Sequence, residues 1–477
     1  MKTDKNVTTA QEPYDYDLIV LGSGPAGQRA AIQAAKLGKK AVVIEHRRVV
    51  GGVSVNTGTI PSKTFREAVL HLSGYRERGI YGSSYRVKEA ITMEDLVFRV
   101  EQVIRTEIDI IRNQLARNHV DLIEGHGAFL GPQEVEVSTG GAAGSRRLRA
   151  PRVVIAVGTN ATRDAHIPFD GQRIVVSDDI LALDKIPKTL TVIGAGVIGV
   201  EYATMFSALG TRVTLVDKRH TLLPFLDDEI SAALTYIAQQ NRVTMRLGEE
   251  VDRVVAPETP TDPIEIHLKS GKSIRADAVL YSIGRSGATE SLGLDKAGVS
   301  VDERGRIKID DFYQTSVPGI YAVGDVIGFP ALASTSMEQG RLAALHALGK
   351  LAEAPKVAPL FPIGIYTVPE ISMVGKSEND LTAEGIAYEI GKANYREIAR
   401  GQIIGDRTGM LKLIFDPATH QLLGVHILGE GASELIHIGQ AVMAHEGTID
   451  YFVDAVFNYP TLAECYKTAA LEGINRL

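Results

Sequence analysis

Two stretches of the chain have the residue types and spacing to hold a diphosphate: Gly22-Ser-Gly-Pro-Ala-Gly27 and Gly194-Ala-Gly-Val-Ile-Gly199. In such a turn the first glycine permits a tight bend. The second lets the backbone approach a pyrophosphate, and the third lets a helix pack closely on a strand. The diphosphate then meets unpaired N–H groups at a helix N-terminus, where the helix dipole favours negative charge. Glu45 and Asp217 each follow the first glycine of their stretch by 23 residues, where a carboxylate can accept a hydrogen bond from a ribose 2′-OH. Asp217 is followed by Lys218 and Arg219, which either pair with a ribose 2′-phosphate or are simply polar residues at a strand end. One such glycine pattern is weak evidence, but two, each placed between a strand and a helix and each followed by an acid, are strong. A protein with two dinucleotide sites generally passes electrons between them.

These residues need strand–turn–helix–strand units to position them, and the sequence supplies two. The first reads as a strand at Leu18–Leu21, a helix to Leu37 and a strand at Ala41–Ile44. The second reads as a strand from Thr189, a helix to Leu209 and a strand from Arg212 to Val216. Apolar runs at Arg152–Thr159, Ala278–Arg285 and Gly319–Asp325 read as further strands that end in glycine. Asp325 there either meets a sugar hydroxyl or caps the next helix. Pro61–Arg78 and Glu94–Asn118 read as helices, and Ser138–Arg149 as a surface hairpin whose Arg146–Arg149 run is either an anion patch or a solvated loop. From about Pro359 strand-like segments precede helices at Ser433–His445 and from Thr461 onward, as in a separate α+β unit.

Composition excludes several classes of function. With 477 residues the chain is long enough for three or four domains. The net charge of −7 gives no basic footprint for nucleic acid. The most apolar stretch, Leu190–Phe206, is broken by Gly194, Gly196, Gly199 and Glu201, which argues against a membrane span. Residues 1–14 read as a flexible polar lead-in with no signal-peptide core, and the chain is expected to be cytoplasmic. Glu434, His437 and His445 share a helix-like stretch, but their spacing is loose for ligation and no metal is expected. There is one cysteine, Cys465, so an intrachain disulfide, a two-cysteine metal site and a dithiol centre are all impossible.

Over nearly its whole length the sequence resembles the flavoprotein disulfide reductases, the class I pyridine nucleotide-disulfide oxidoreductases. The resemblance is carried by GSGPAG, Gly51-Gly52, Pro61-Ser-Lys63, GAGVIGVE ending at Glu201, AVGD ending at Asp325 and Met337-Glu-Gln-Gly-Arg341. It implies an α/β fold with two Rossmann-like domains and a C-terminal α+β dimerisation domain. An FAD-binding domain would span 15–160 and 285–355, with an NAD(P)-binding domain, 161–284, inserted in it. The homodimer interface would come from 356–477. On the same ground FAD would be held by Gly22, Gly24, Gly27, Glu45, Gly51, Gly52, Ser54, Thr57, Lys63, Gly127, Ala128, Gly158, Asp325 and Ala333. Gly194, Gly196, Gly199, Asp217, Lys218, Arg219 and Gly284 would hold the nicotinamide nucleotide. Lys63 and Glu201 match a family pair that meets at the flavin N5–C4a edge. There the lysine would stabilise negative charge on the reduced ring and the glutamate would orient it. An ordinary internal ion pair is compatible with that role.

The departures from the family are informative. Its two redox cysteines fall at Ser54 and Thr59 here, and hydroxyls form neither a disulfide nor a thiolate–flavin complex. The family's C-terminal HPTxxE segment reads Asn458-Tyr-Pro-Thr-Leu-Ala-Glu464, so Glu464 is retained but Tyr459 stands at the histidine acid/base position. A phenol, which titrates near ~10, is a poor proton shuttle at neutral pH. Cys465 reads as a helix-packing residue. GTIPSK (Gly58–Lys63) with FNYPTLAE (Phe457–Glu464) resembles one branch, the soluble, Si-specific pyridine nucleotide transhydrogenases, which usually retain a cysteine at the Ser54 position. That branch implies hydride transfer from NADPH to NAD⁺ through the flavin, with one nicotinamide site used twice in a ping-pong cycle. The competing expectations are an NAD(P)H:quinone or dye reductase and a flavoprotein that senses nucleotide redox state.

Overall fold

The computed structural model describes residues 14–139, 144–259, 261–351 and 360–477. The expected lead-in lies outside them apart from Tyr14, as does the tip of the 138–149 hairpin. The chain divides into two compact units. One contains the described residues of 14–56, 104–160 and 285–351, and the other those of 57–103, 161–284 and 360–477.

The first unit is built on a parallel five-stranded sheet in the order Ile320–Ala322, Val153–Ile155, Leu18–Leu21, Ala41–Glu45, Asp121–Glu124. Its inner strands are short, buried at every position and apolar except for Glu45 at the end of Ala41–Glu45, as expected for strands covered on both faces. Helices Pro25–Lys36 and Ala333–Ala347 share one apolar cluster with these strands. A Cβ on Gly340 would come within 2.0 Å of the Ala26 carbonyl oxygen, so only glycine allows this close a helix crossing. An antiparallel sheet of His126–Gly131, Glu134–Ser138 and Ser145–Arg149 contributes to a second cluster. The Arg146–Arg149 run therefore belongs to a paired strand rather than a loop.

The second unit contains another parallel five-stranded sheet, ordered Val243–Leu247, Arg212–Asp217, Thr189–Ile193, Ala278–Tyr281, Ile174–Val176. A five-stranded antiparallel sheet follows, running Ile363–Ile365, Ile371–Gly375, Leu422–Leu428, Met410–Phe415, Glu389–Asn394. Helices Ala432–Ala444 and Glu464–Ile474 share its core, where Cys465 is fully buried. The fold thus comprises two Rossmann-like sheets and a C-terminal α+β element.

Two expected helices differ in extent. The one read at Pro61–Arg78 spans Thr59–Leu72 and stops before Gly74, which adopts φ +63°, the left-handed conformation in which chains leave helices. A 3₁₀ turn, Tyr75–Glu77, and a short helix, Arg78–Tyr81, continue from it. The long helix runs Met93–Arg117, one residue earlier at each end than its apolar spacing indicated.

No sequence pattern marked the second unit's most buried charge cluster. Lys412 has no solvent exposure, and its ammonium donates to both oxygens of Asp227 at 2.9 and 3.0 Å and also to Glu378. Glu229 lies 3.4 Å away. Burial pulls the lysine's pKa down, but the carboxylates outweigh it and hold the ammonium charged. Asp227, 1% exposed, also caps helix Asp228–Gln240 by accepting the Glu229 N–H. The Asp227, Glu229 and Glu378 oxygens are close enough together to ligate a cation, but the lysine already supplies the positive charge. Removing one partner of a buried pair typically costs ~3–5 kcal/mol. Lys412→Met should therefore lower unfolding stability by about that much in denaturant titrations. An unchanged midpoint would show that the cluster contributes nothing.

Candidate functional site

The two glycine turns have the same construction. Gly22 (φ +100°) and Gly194 (φ +106°) take a backbone conformation that side chains disfavour. A Cβ on either would lie 2.5 or 2.6 Å from a carbonyl oxygen, of Ala156 or Ser282 respectively. Gly24 and Gly196 face open space, with no atom within 4 Å of a built Cβ. Each is the N-cap of its helix, and neither helix end receives a side-chain cap, so the first N–H groups stay available. Gly27 and Gly199 pack against the turn itself, where a Cβ would sit 2.0 Å from the Gly22 or Gly194 oxygen. Tight bend, open face and close approach thus fall in the expected order in both units.

Each strand-end acid fastens its own turn. Glu45 accepts the Ser23 N–H at 3.0 Å and the Ser23 hydroxyl at 2.6 Å, and its other oxygen accepts the Arg47 N–H at 2.9 Å. Ser23 Oγ in turn accepts the Gly51 N–H at 2.9 Å. Burial pushes the Glu45 carboxyl upward, but hydrogen bonds from His46, Ser23 and Arg47 outweigh it and hold it below the usual carboxylate range. Asp217 accepts the Ala195 N–H at 2.6 Å, the counterpart of the Ser23 contact. Arg219 grips it through both oxygens: its Nε at 2.9 Å and backbone N–H at 2.8 Å on one, and its NH2 at 2.7 Å on the other. Burial raises the Asp217 pKa, and the Arg219 and Ala195 hydrogen bonds more than reverse this. Lys218 is exposed beside them.

In the first unit, Asp325 lies in the first turn of a 3₁₀ helix whose N-terminus has no side-chain cap, so it is not acting as an N-cap. Burial raises its pKa, and Arg285 and Ser336 offset this only in part. A carboxylate so short of donors suits a polyol ligand. Gly127 and Ala128 lie on strand His126–Gly131, Gly158 takes φ +68°, and Ala333 begins helix Ala333–Ala347. Gly52 and Ser54 share a short helix, Gly52–Asn56.

In the second unit, Thr57 Oγ1 is buried without a hydrogen-bond partner, as a group awaiting a ligand would be. Gly284 takes φ +156°. The unit brings Lys63, on helix Thr59–Leu72, to Glu201, on helix Val197–Ala208. Lys63 Nζ donates to both Glu201 oxygens at 2.8 and 2.9 Å, with the carboxylate 4% exposed and the lysine 26%. Tyr366 is a third member that sequence reasoning missed. Its backbone N–H donates to Glu201 at 2.8 Å, and its ring centroid lies 4.8 Å from the Lys63 ammonium, within cation–π range. It is 165 residues from Glu201 in a segment without a motif, so no local signal pointed to it. Tyr459 is 75% exposed, and Glu464 begins the last helix, Glu464–Ile474. Burial pushes the Cys465 thiol up to about 12, with the Glu464 charge adding to the rise, so the thiol is inert at neutral pH.

The open second glycines, uncapped helix ends, donor-poor Asp325 and orphaned Thr57 hydroxyl all fit dinucleotide cofactors. Comparison with known proteins agrees. The pyridine nucleotide-disulphide oxidoreductase family matches residues 16–340, and the dimerisation domain of that family matches 361–470. A soluble pyridine nucleotide transhydrogenase of Mycobacterium bovis (strain BCG / Pasteur 1173P2) is 53% identical, covering 97% of this chain and 98% of its own. One of Pseudomonas aeruginosa (strain LESB58) is 45% identical, covering 97% and 99%. Among solved structures, LpdA of Mycobacterium tuberculosis superposes with a TM-score of 0.86 at 25% identity over 95% of this chain and 98% of its own. The HOCl-induced flavoprotein disulfide reductase RclA of Escherichia coli, as its Cu(II) complex, gives 0.86 at 25% identity over 96% and 99%. The chain therefore belongs to the pyridine nucleotide-disulphide oxidoreductases, FAD-dependent enzymes that use NAD(P)H, and within them to the soluble pyridine nucleotide transhydrogenases.

Proposed function

We propose that this enzyme is an Si-specific NAD(P)⁺ transhydrogenase that moves hydride from NADPH to NAD⁺ through its flavin, using one nicotinamide site twice in a ping-pong cycle. The observation that carries the proposal is the grip of Arg219 on Asp217. A site that serves both nucleotides must accept a ribose with a 2′-OH and one with a 2′-phosphate. The Asp217 carboxylate suits the hydroxyl and alone would repel the phosphate. The guanidinium already in contact with it neutralises that repulsion. On leaving the carboxylate it presents a planar fork matched to phosphate, with Lys218 beside it.

Bound FAD would supply the redox chemistry, as the acceptor and donor of hydride. The chain's own residues bind, orient and balance charge. The uncapped N-termini at Gly24 and Gly196 receive the diphosphates. Lys63, held by Glu201 and Tyr366, presents a fixed positive charge in the role the family gives this pair at the flavin. Exchange of hydride between two nicotinamides releases no net proton, so the cycle does not need the histidine that Tyr459 replaces. Ser54 and Thr59 pass no electrons onward, which leaves the nicotinamides as donor and acceptor. The dimerisation domain supports a homodimer. Among the described residues no helix is long and apolar enough to cross a membrane, and a cytoplasmic location is part of the proposal.

The test is an anaerobic assay of purified protein with NADPH and a thio-analogue of NAD⁺. Rapid transfer, with parallel double-reciprocal lines as either nucleotide is varied, is the expected result. Rapid quinone reduction without nucleotide exchange would contradict it. Replacing Lys218 and Arg219 together by Gln removes charge-assisted bonds worth ~1.5–3 kcal/mol each. KM for NADPH should rise tenfold or more, while KM for NADH changes far less. Equal losses for both nucleotides would refute the assignment of these two cations.

A further inference from the structure

The second unit contains a cleft of about 890 Å³ that the proposed reaction does not use. It is lined by the C-terminal ends of helices Thr59–Leu72, Val197–Ala208 and Asp228–Gln240, by the turns following the first of these, and by residues 400–408. Seven arginines and three acids contribute to its wall. Two arginines are already matched: Arg66 by Glu67 and Glu370, and Arg76 by Glu67 and Glu430. Arg78, Arg86, Arg242, Arg400 and Arg407 take part in no ion pair among the described residues. Of the acids, Asp406 is committed to the backbone N–H groups of Thr408, Gly409 and Glu430. Counted over the wall itself, seven guanidinium groups stand against the three carboxylates of Glu77, Asp406 and Glu430, and the three helix ends add about half a negative charge each, so the wall keeps a positive balance.

Arg78 shows the imbalance most directly. Its NH2 donates to the Ser73 and Ala208 carbonyl oxygens at 3.0 and 3.4 Å, yet its Nε is buried with no acceptor. Burial lowers its pKa, and the neighbouring Arg86 charge lowers it further. The Tyr75 ring lies 5.5 Å from the Arg78 guanidinium carbon, and the Tyr75 hydroxyl accepts from Asn241 at 2.9 Å, which holds this wall in place. A half-buried guanidinium fixed in the cleft wall beside a second arginine is placed to meet an anion. Guanidinium groups prefer planar, bidentate oxyanions. The volume falls within the ~300–1,000 Å³ of ordinary small-molecule pockets.

From these observations we infer that the cleft is a binding site for a multiply charged phosphate compound, separate from both dinucleotide turns. The turns receive diphosphate at helix N-termini, whereas this cleft forms at helix C-termini and draws its charge from arginine side chains. Pyrophosphate is the probe, added to FAD-loaded protein in saturating NAD⁺ so that the nicotinamide site is filled, with binding read by calorimetry. The expected result is one pyrophosphate per chain, with affinity at least tenfold weaker in the double variant Arg86→Gln/Arg407→Gln. The variant Lys218→Gln/Arg219→Gln should bind it as the wild type does. Arg86 and Arg407 are exposed, and flavin content with the thermal midpoint verifies that their variant is folded. Four outcomes overturn the inference. They are no binding by the wild type, unchanged affinity in the Arg86/Arg407 variant, loss confined to the Lys218/Arg219 variant, and loss that accompanies dissociation into monomers. The last would mean that these arginines serve the contact between copies of the chain.

Discussion

A lysine ammonium held by both oxygens of a nearly buried carboxylate is the interaction to which the chemistry of this protein returns. Lys63 and Glu201 come from helices 138 residues apart in sequence, and the pair exists only because the second unit packs those helices together. Glu201 would be costly to bury alone, since an unpaired carboxylate in such surroundings loses its hydration without compensation. Lys63 and the Tyr366 N–H supply that compensation. What results is a positive charge with a defined position, and a cofactor that carries its own redox chemistry needs little more from its protein than binding, orientation and electrostatics.

The same economy governs the dinucleotide turns. In each, three glycines meet three different steric demands, and a strand-end carboxylate accepts the N–H of the residue after the first glycine. The carboxylate therefore shapes the turn, beside the ribose role proposed for it. At Asp217 a guanidinium joins this arrangement, and one acid can then belong to a site for either ribose. At Glu45 the corresponding contacts come from Ser23, His46 and the Arg47 backbone N–H instead.

Much of this was legible in the sequence because it is local. Glycine spacing, the acid after the second strand and the apolar strands are all patterns within about thirty residues, and the parallel sheets follow from them. The end of the Thr59–Leu72 helix was misjudged because Gly74 breaks a stretch that otherwise keeps helical spacing. Tyr366, the Lys412 cluster and the arginine cleft were not legible at all. Each depends on residues brought from more than a hundred positions away, and a lone lysine in a strand or scattered arginines carry no spacing to read. The Lys63–Glu201 pair could be anticipated only through family resemblance, since nothing local links its members.

Cys465 closes the argument about electron flow. It is the chain's one cysteine, it is wholly buried in the C-terminal core, and burial keeps its thiol protonated. By the family resemblance, Ser54 and Thr59 stand at the positions of a redox pair. On the proposed function, electrons would then pass only between the bound flavin and the nicotinamides. Anaerobic titration of the FAD-loaded protein with dithionite, followed by flavin absorbance, tests this most directly. The account predicts complete bleaching after two electrons per flavin, and uptake of four before bleaching is complete would contradict it.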